Sequence, residues 1–352
     1  MNAKLPYYGI IILFALIIPY SHALSQKESN IWYFGNNAGL DFSTSPPTSL
    51  TNGKMSSVEG CATICSNKGD LLFYTDGVTI WDKRHEVMEN GSSLNGKKSA
   101  AQTGLSVKQP NNPNRYYVFS IPEVESSDKS CYYSVVDITR NNFNGAVVEK
   151  NILVDNPSTE KIAAINHCNG IDVWIILHNE GTIYKSFLLT ENGLNLTPTI
   201  SNGNLHFDIN SWAASGHMKF SPVGNMIATC KRESSEVELA DFNTSTGILT
   251  NFRTLNFPML TYGVEFSPNE NFLYVSCGTS QHNGVLYQVD LRKGDSYLNK
   301  TLIFRSNDIW YGALQLAPDS SIYLALWDRN YLGVIRKPNS ENSGCDFVLN
   351  GL

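Results

Sequence analysis

Apolar and polar residues alternate along most of this chain, and Gly, Pro, Asn or Asp breaks the alternation every few residues. A period of two belongs to a half-buried strand, and no stretch of the mature chain carries the 3.6-residue period of a long helix. Three segments state the pattern most fully: GHMKFSPVGNMIATC (216–230), YGVEFSPNENFLYVSC (262–277) and YGALQLAPDSSIYLALW (311–327). Each holds a small residue, a short alternating strand, a Ser-Pro or Ala-Pro turn with Asn, Asp or Gly, and a second strand. Phe220, Phe266 and Leu316 occupy equivalent places, 46 and 50 residues apart. Weaker copies lie upstream around Ile64, Val107 and Ile165, so six units are visible.

A repeat of roughly 40 to 50 residues built from short strands predicts a β-propeller whose blades are four-stranded antiparallel sheets. In EGCATICSNKGDLLFYTDGVTIWDKRHEVM (59–88), CATI reads as an inner strand, Asn67 to Asp70 as a turn, and LLFYT as the returning strand. Asp76-Gly77 reads as a tight type I′ hairpin and VTIWD as the third strand. Tyr74 and Trp81 then pack between blades. The last unit takes SIYLALW, YLGVIR and CDFVL as its outer strands. At the other end IWYFG, AGLDF and a strand near 49–56 precede the first inner strand and look like the three outer strands of a seventh blade. The expected fold is therefore all-β: a seven-bladed propeller over residues 29–352, its seventh blade lacking an inner strand. A chain of this kind is expected to be a piece that a closing strand would complete.

Composition narrows the class. With 42% hydrophobic and 16% charged residues the chain supports a large core. A formal charge of −6, with only short basic pairs such as Lys83-Arg84 and Lys231-Arg232, lacks the footprint of a nucleic-acid binder. The amino terminus MNAKLPYYGIIILFALIIPYSHALSQ has Lys4, an apolar run from Ile10 to Ile18, and small residues at Ser21, Ala23 and Ser25. That is the layout of a cleaved secretory signal over residues 1–25, with an apolar run too short to span a membrane. The expected product is secreted or cell-surface, without a transmembrane anchor in the mature chain. Seven cysteines, Cys61, Cys65, Cys131, Cys168, Cys230, Cys277 and Cys345, leave at least one thiol unpaired or shared with another chain in an oxidising compartment. Cys61 and Cys65, four apart on a strand, are too distant to bridge and read as core residues.

Taken in order, NIWYFGNNAGLDF, EGCATI, GDLLFYTDGVTIWDKRHEVMENGSSLNG, CYYSVVDI, EKIAAINHCNGIDVWIILH, KFSP, YGVEFSP and LQLAPDSSIYLA resemble the amino-terminal propeller of secreted Bacteroidota proteins of the gliding-motility-associated, type IX secretion class. The resemblance runs from about Asn30 to the end. It implies a propeller similar to YVTN and WD-repeat propellers, an adhesin-like role, and no catalytic residues to carry over. Family members supply a closing segment shortly after the point equivalent to Leu352. Cys65-Ser66 departs from the family's Ser-Asp, and Cys168 lies ahead of the position, here Ile171, where the family's cysteine falls, so the resemblance does not carry a family disulfide over to either site.

The residues that open the inner strands should ring the channel mouth: Glu59, Gln102, Lys161, His217, Tyr262 and Tyr311, with Trp212 and Trp310 just before two of them. Such a polar and aromatic mouth suits a glycan or a cell-surface protein. His85, His178 and His206 are isolated in sequence and read as structural. Motifs for a nucleophile elbow, a zinc helix, a phosphate loop, a calcium loop or a dinucleotide fold are missing, so no catalytic residue, metal or cofactor is assigned. The principal expectation is a non-enzymatic interaction or adhesion module. The alternative is a glycoside- or lactone-acting propeller enzyme with its site in the channel, where Glu59 and Glu265 would face each other as a carboxylate pair.

Overall fold

The computed structural model describes residues 27–278, 283–294 and 300–352. The expected signal segment, 1–25, lies outside them. Among the described residues twenty-seven strands form seven antiparallel sheets. The first sheet holds β1 (Ile31–Phe34), β2 (Ala38–Asp41) and β3 (Thr48–Leu50), and the second β4 (Ala62–Cys65), β5 (Leu71–Thr75) and β6 (Ile80–Asp82). The third runs β7 (Ser106–Lys108), β8 (Arg115–Ser120), β9 (Cys131–Asp137), β10 (Ala146–Asp155). In the fourth, β11 (Ile162–Asn166), β12 (Val173–His178) and β13 (Gly181–Thr190) are followed by β14 (Gly193–Leu194) and β15 (Thr199–Phe207), both paired with β13. The fifth holds β16 (Met218–Phe220), β17 (Met226–Lys231), β18 (Glu236–Asn243) and β19 (Ile248–Asn256). The sixth holds β20 (Leu260–Phe266), β21 (Phe272–Gly278), β22 (Gly284–Asp290) and β23 (Lys300–Ser306). The last holds β24 (Tyr311–Leu316), β25 (Ile322–Leu326), β26 (Gly333–Ile335) and β27 (Phe347–Val348).

The core lies between sheets. Seven clusters of buried apolar side chains each join two neighbouring sheets. Between the fifth and sixth, Val237 and Leu239 meet Val264, Phe266 and Val275. The ring closes where Leu40 and Trp32 of the first sheet meet Tyr323 and Val334 of the last, with Leu352 against them. Trp32, Phe42 and Tyr323 pack there at centroid distances of 4.7 to 5.8 Å. On the other side of the first sheet, Tyr33 meets Tyr74, which stacks on Trp81 at 5.5 Å and 11°. The chain is thus a seven-bladed propeller, and Tyr74 and Trp81 of the 59–88 segment pack between blades.

The first blade has three strands, and among the described residues none lies between β1 and the channel. Its open edge is partly covered by side chains of the next blade: Tyr33 N donates to Thr63 Oγ1 at 2.7 Å, and Cys65 Sγ reaches Ile31 O at 3.8 Å. A continuous cavity of about 1460 Å³ runs along this edge to the channel wall, lined by Trp32, Phe34 and Leu40 on one side and Leu314, Gln315 and Leu326 on the other.

Three local expectations change. The second blade also has three strands, because the chain after β6 turns back too tightly to form a fourth: Asp82 N bonds Glu86 O, Met88 N bonds Ile80 O, and Trp81 bridges Val87. Asp76-Gly77 is not a type I′ turn. Gly77 has φ +77°, but Asp76 turns inward instead, and its Oδ1 accepts the N–H groups of Val78 and Thr79 at 3.0 and 2.7 Å, opening a wider loop. The third strand of the first blade is Thr48–Leu50, earlier than the 49–56 expected.

The seven cysteines are all unpaired thiols. Burial pushes Cys61 and Cys230 up to about 12 and Cys65 up to about 11. His178 sits in the core between Tyr184 and Phe207, His85 bonds Asn52 and Tyr74, and His206 is exposed on β15. Among the described residues no helix is long and apolar enough to cross a membrane.

Candidate functional site

In an antiparallel pair the start of one strand lies beside the end of the next. The registers Met218 to Thr229 and Tyr311 to Leu326 therefore bring two sets of loops to one end of the channel. One set precedes the inner strands and carries Glu59, Gln102, Glu160, Trp212 and Trp310. The other follows the second strands and carries Arg232, Glu233, Trp327 and Arg329.

Arg232 organises this mouth. Its guanidinium carbon lies 4.8 Å from the Trp212 ring, 5.0 Å from Trp310 and 5.8 Å from Tyr262. Trp310 in turn packs against Trp327 at 6.3 Å. Trp212 and Trp327 are 48% and 53% exposed, which is unusual for the largest apolar side chain and leaves ring faces open to solvent. Beside them Trp212, Arg232, Glu233, Leu260 and Trp310 line a cleft of about 230 Å³.

Deeper in, the polar groups satisfy one another. Glu160 accepts N–H groups from Ala101 and Val124 at 2.9 and 2.7 Å, one on each oxygen, and burial raises its carboxyl. Lys161 is wholly buried and gives its ammonium to the carbonyls of Ala213, Ala214 and Ser215 at 3.1, 2.7 and 2.6 Å. Burial drives that ammonium down, but three acceptors for three protons hold it in the charged form. Gln102 reaches across the channel: its amide N donates to Met218 O at 2.9 Å and its O accepts Met218 N at 2.7 Å. His217 is buried with Nδ1 unpartnered among the described residues, and burial lowers it to about 3. Tyr311 is fully buried, its hydroxyl without a partner among the described residues.

Glu59 is different. It is half-buried, takes a hydrogen bond from the Tyr262 hydroxyl, and lies near Glu160 and Arg232. Burial, then the Glu160 charge, pushes its carboxyl up to about 7, against the pull of Tyr262 and Arg232. The carboxylate whose charge acts most on Glu59 is thus Glu160. Glu265 lies buried along β20, where it accepts N–H from Phe266 and Leu316 and pairs with Lys219 at 3.6 Å.

The structure therefore brings Glu59, Tyr262, Trp212 and Trp310 together around Arg232. It buries Lys161, His217 and Tyr311 beneath them and uses Gln102 as a brace. Sequence reasoning missed Glu160, Arg232 as a site residue, and Trp327. Arg232 and Trp327 each immediately follow the second strand of a repeat unit, so the alignment of repeats, carried one strand further, would have marked both. No cluster of metal-ligating side chains occurs among the described residues.

No protein-family model matches the sequence, and no characterised protein matches it in sequence. Solved structures resemble it in shape. A protein from Lactobacillus plantarum superimposes with a TM-score of 0.51 at 14% identity, covering 89% of this chain and 90% of that one. Hydrazine synthase from Kuenenia stuttgartiensis gives 0.46 at 14% identity, covering 85% and 89%. A candidate 6-phosphogluconolactonase from Bacteroides uniformis gives 0.43 at 12% identity, covering 75% and 87%. Likeness of this degree identifies the fold and no activity.

Proposed function

We propose that the protein is an exported binding propeller that seats a glycan at the aromatic mouth of its channel, as a surface or secreted interaction module. The observation that carries this reading is the pair of open indoles, Trp212 and Trp327, held on either side of the Arg232–Trp310 stack. Flat apolar faces beside a few polar groups suit sugar rings, whose C–H faces stack while their hydroxyls take hydrogen bonds. Export rests on the amino-terminal sequence, and a place among gliding-associated cargo on the motif resemblance. Trp212→Ala and Trp327→Ala should each weaken binding on a glycan array about tenfold or more, roughly 1.4 kcal/mol, with the melting temperature unchanged. Binding that survives both changes would move the site elsewhere, and binding only to proteins would replace the glycan with a protein partner.

A second reading has its own observation. A carboxyl near pH 7, hydrogen-bonded to Tyr262 beside a second carboxyl, has the proton affinity of an acid–base catalyst. A glycoside- or lactone-hydrolysing reaction at Glu59 would appear as turnover that Glu59→Gln reduces by about a hundredfold or more. Turnover equal in the variant sinks it.

A further inference from the structure

We propose that Arg232 is a carboxylate receptor, so that the glycan taken at this mouth is an acidic one carrying a uronate group. This rests on the glycan reading of the site and adds the chemical class of the ligand.

The argument starts from what Arg232 lacks. Two other arginines show the contrast, their guanidinium groups being spent on buried carboxylates: Arg84 bonds Asp82 at 3.0 and 2.6 Å, and Arg292 forks onto Asp290 at 2.8 and 2.7 Å. Arg232 has no carboxylate within ion-pair distance among the described residues, and its one side-chain hydrogen bond is a long 3.4 Å contact from Nη1 to Ser215 Oγ. The nearby Glu59 is engaged by the Tyr262 hydroxyl, and Glu160 by two backbone N–H groups.

Its surroundings fix how the guanidinium can be used. Trp212 and Trp310 lie 4.8 and 5.0 Å from its central carbon, so the group is held by ring contacts rather than by salt bridges. Such contacts restrict its motion and exclude water without consuming N–H donors. The unspent donors border the cleft of about 230 Å³ beside the exposed Trp212 face. A planar fork of N–H groups next to a stacking surface matches a sugar ring bearing a carboxylate, which accepts two parallel hydrogen bonds. Glu233 lines the same cleft from its exposed side and works against an anion there. Its charge, facing water, is screened far more than a contact at Arg232.

The test is calorimetric titration of the whole secreted chain with three pairs of oligosaccharides: galacturonate, alginate and hyaluronate fragments, each beside its carboxyl-reduced counterpart. At least one acidic member should bind about tenfold or more tightly than its reduced partner. Arg232→Gln should erase that preference, Arg232→Lys should keep part of it, and Glu233→Gln should strengthen acidic binding a few-fold. Equal binding of acidic and reduced forms, or a preference that survives Arg232→Gln, overturns the proposal. So does binding of none of the three pairs. Neutral glycans whose binding falls in Trp212→Ala but not in Arg232→Gln would overturn this inference and leave the glycan reading standing. Glycan binding that ignores both changes would remove the two together. Thermal melts of each variant exclude misfolding as the cause.

Discussion

Burial governs the charged residues of the mouth one by one. Glu59 holds its proton more tightly in the folded chain, at about 7, than at its ordinary value of 4.5. Its contribution to stability is therefore complete below about pH 4.5, shrinks as pH rises, and is lost once pH passes about 7. Glu59→Gln should flatten the stability profile between pH 5 and 8 and gain up to about 3 kcal/mol at the alkaline end. Urea melts at several pH values check this, and a parallel profile in the variant contradicts the environment described for Glu59. Lys161 carries the opposite lesson. Its ammonium terminates three carbonyls in a row, so Lys161→Met should cost about 3 to 5 kcal/mol, because buried acceptors and Glu160 are left without their cation. A loss below about 1 kcal/mol would show that water replaces it freely.

At the scale of elements, the repeat made most strands legible. Phe220, Phe266 and Leu316 do occupy equivalent places on β16, β20 and β24, since each must fill the same gap between blades. What the alternation did not carry was anything decided by one side chain reaching backbone. Asp76 converts the predicted tight turn into a wider loop, and Glu86 folds back on Asp82 where a fourth strand was expected. Gly77 shows the steric side of that loop. A Cβ there would stand 2.0 Å from Thr103 Oγ1, at a φ of +77° that side chains resist. Gly77→Ala should cost more than about 1 kcal/mol, and Thr103→Ala in the same chain should recover part of it. Denaturation of the single and double variants measures the coupling, and full additivity would contradict the contact. Glu160, Arg232 and Trp327 escaped the sequence as well. Glu160 takes its partners Ala101 and Val124 from another blade, at a separation no local pattern reports, while Arg232 and Trp327 sit one residue beyond the strands the repeat was read on.

For the whole molecule, the outstanding feature is a ring whose first blade, among the described residues, has no strand on its channel side. The propeller still closes, because Trp32, Phe42 and Tyr323 bind the first blade to the last. Thr63 and Cys65 supply side-chain partners along the open edge of β1, and the apolar walls beyond it remain uncovered. A chain extended past Leu352 by an alternating apolar segment long enough to pair with β1 should melt a few degrees higher, since each kcal/mol moves a domain of this size by about 1 to 2 °C. An unchanged melting temperature would mean that the edge needs no strand. The same architecture sets the central claim, because loops from every blade converge on the end of the channel where Arg232 and its aromatic rings sit. Amide hydrogen exchange of the chain, with and without the glycan selected on the array, tests it most directly. The account predicts protection confined to 208–217, 232–235, 307–312 and 327–332. Protection on the opposite face or along the outer strands, with these loops unchanged, would contradict it.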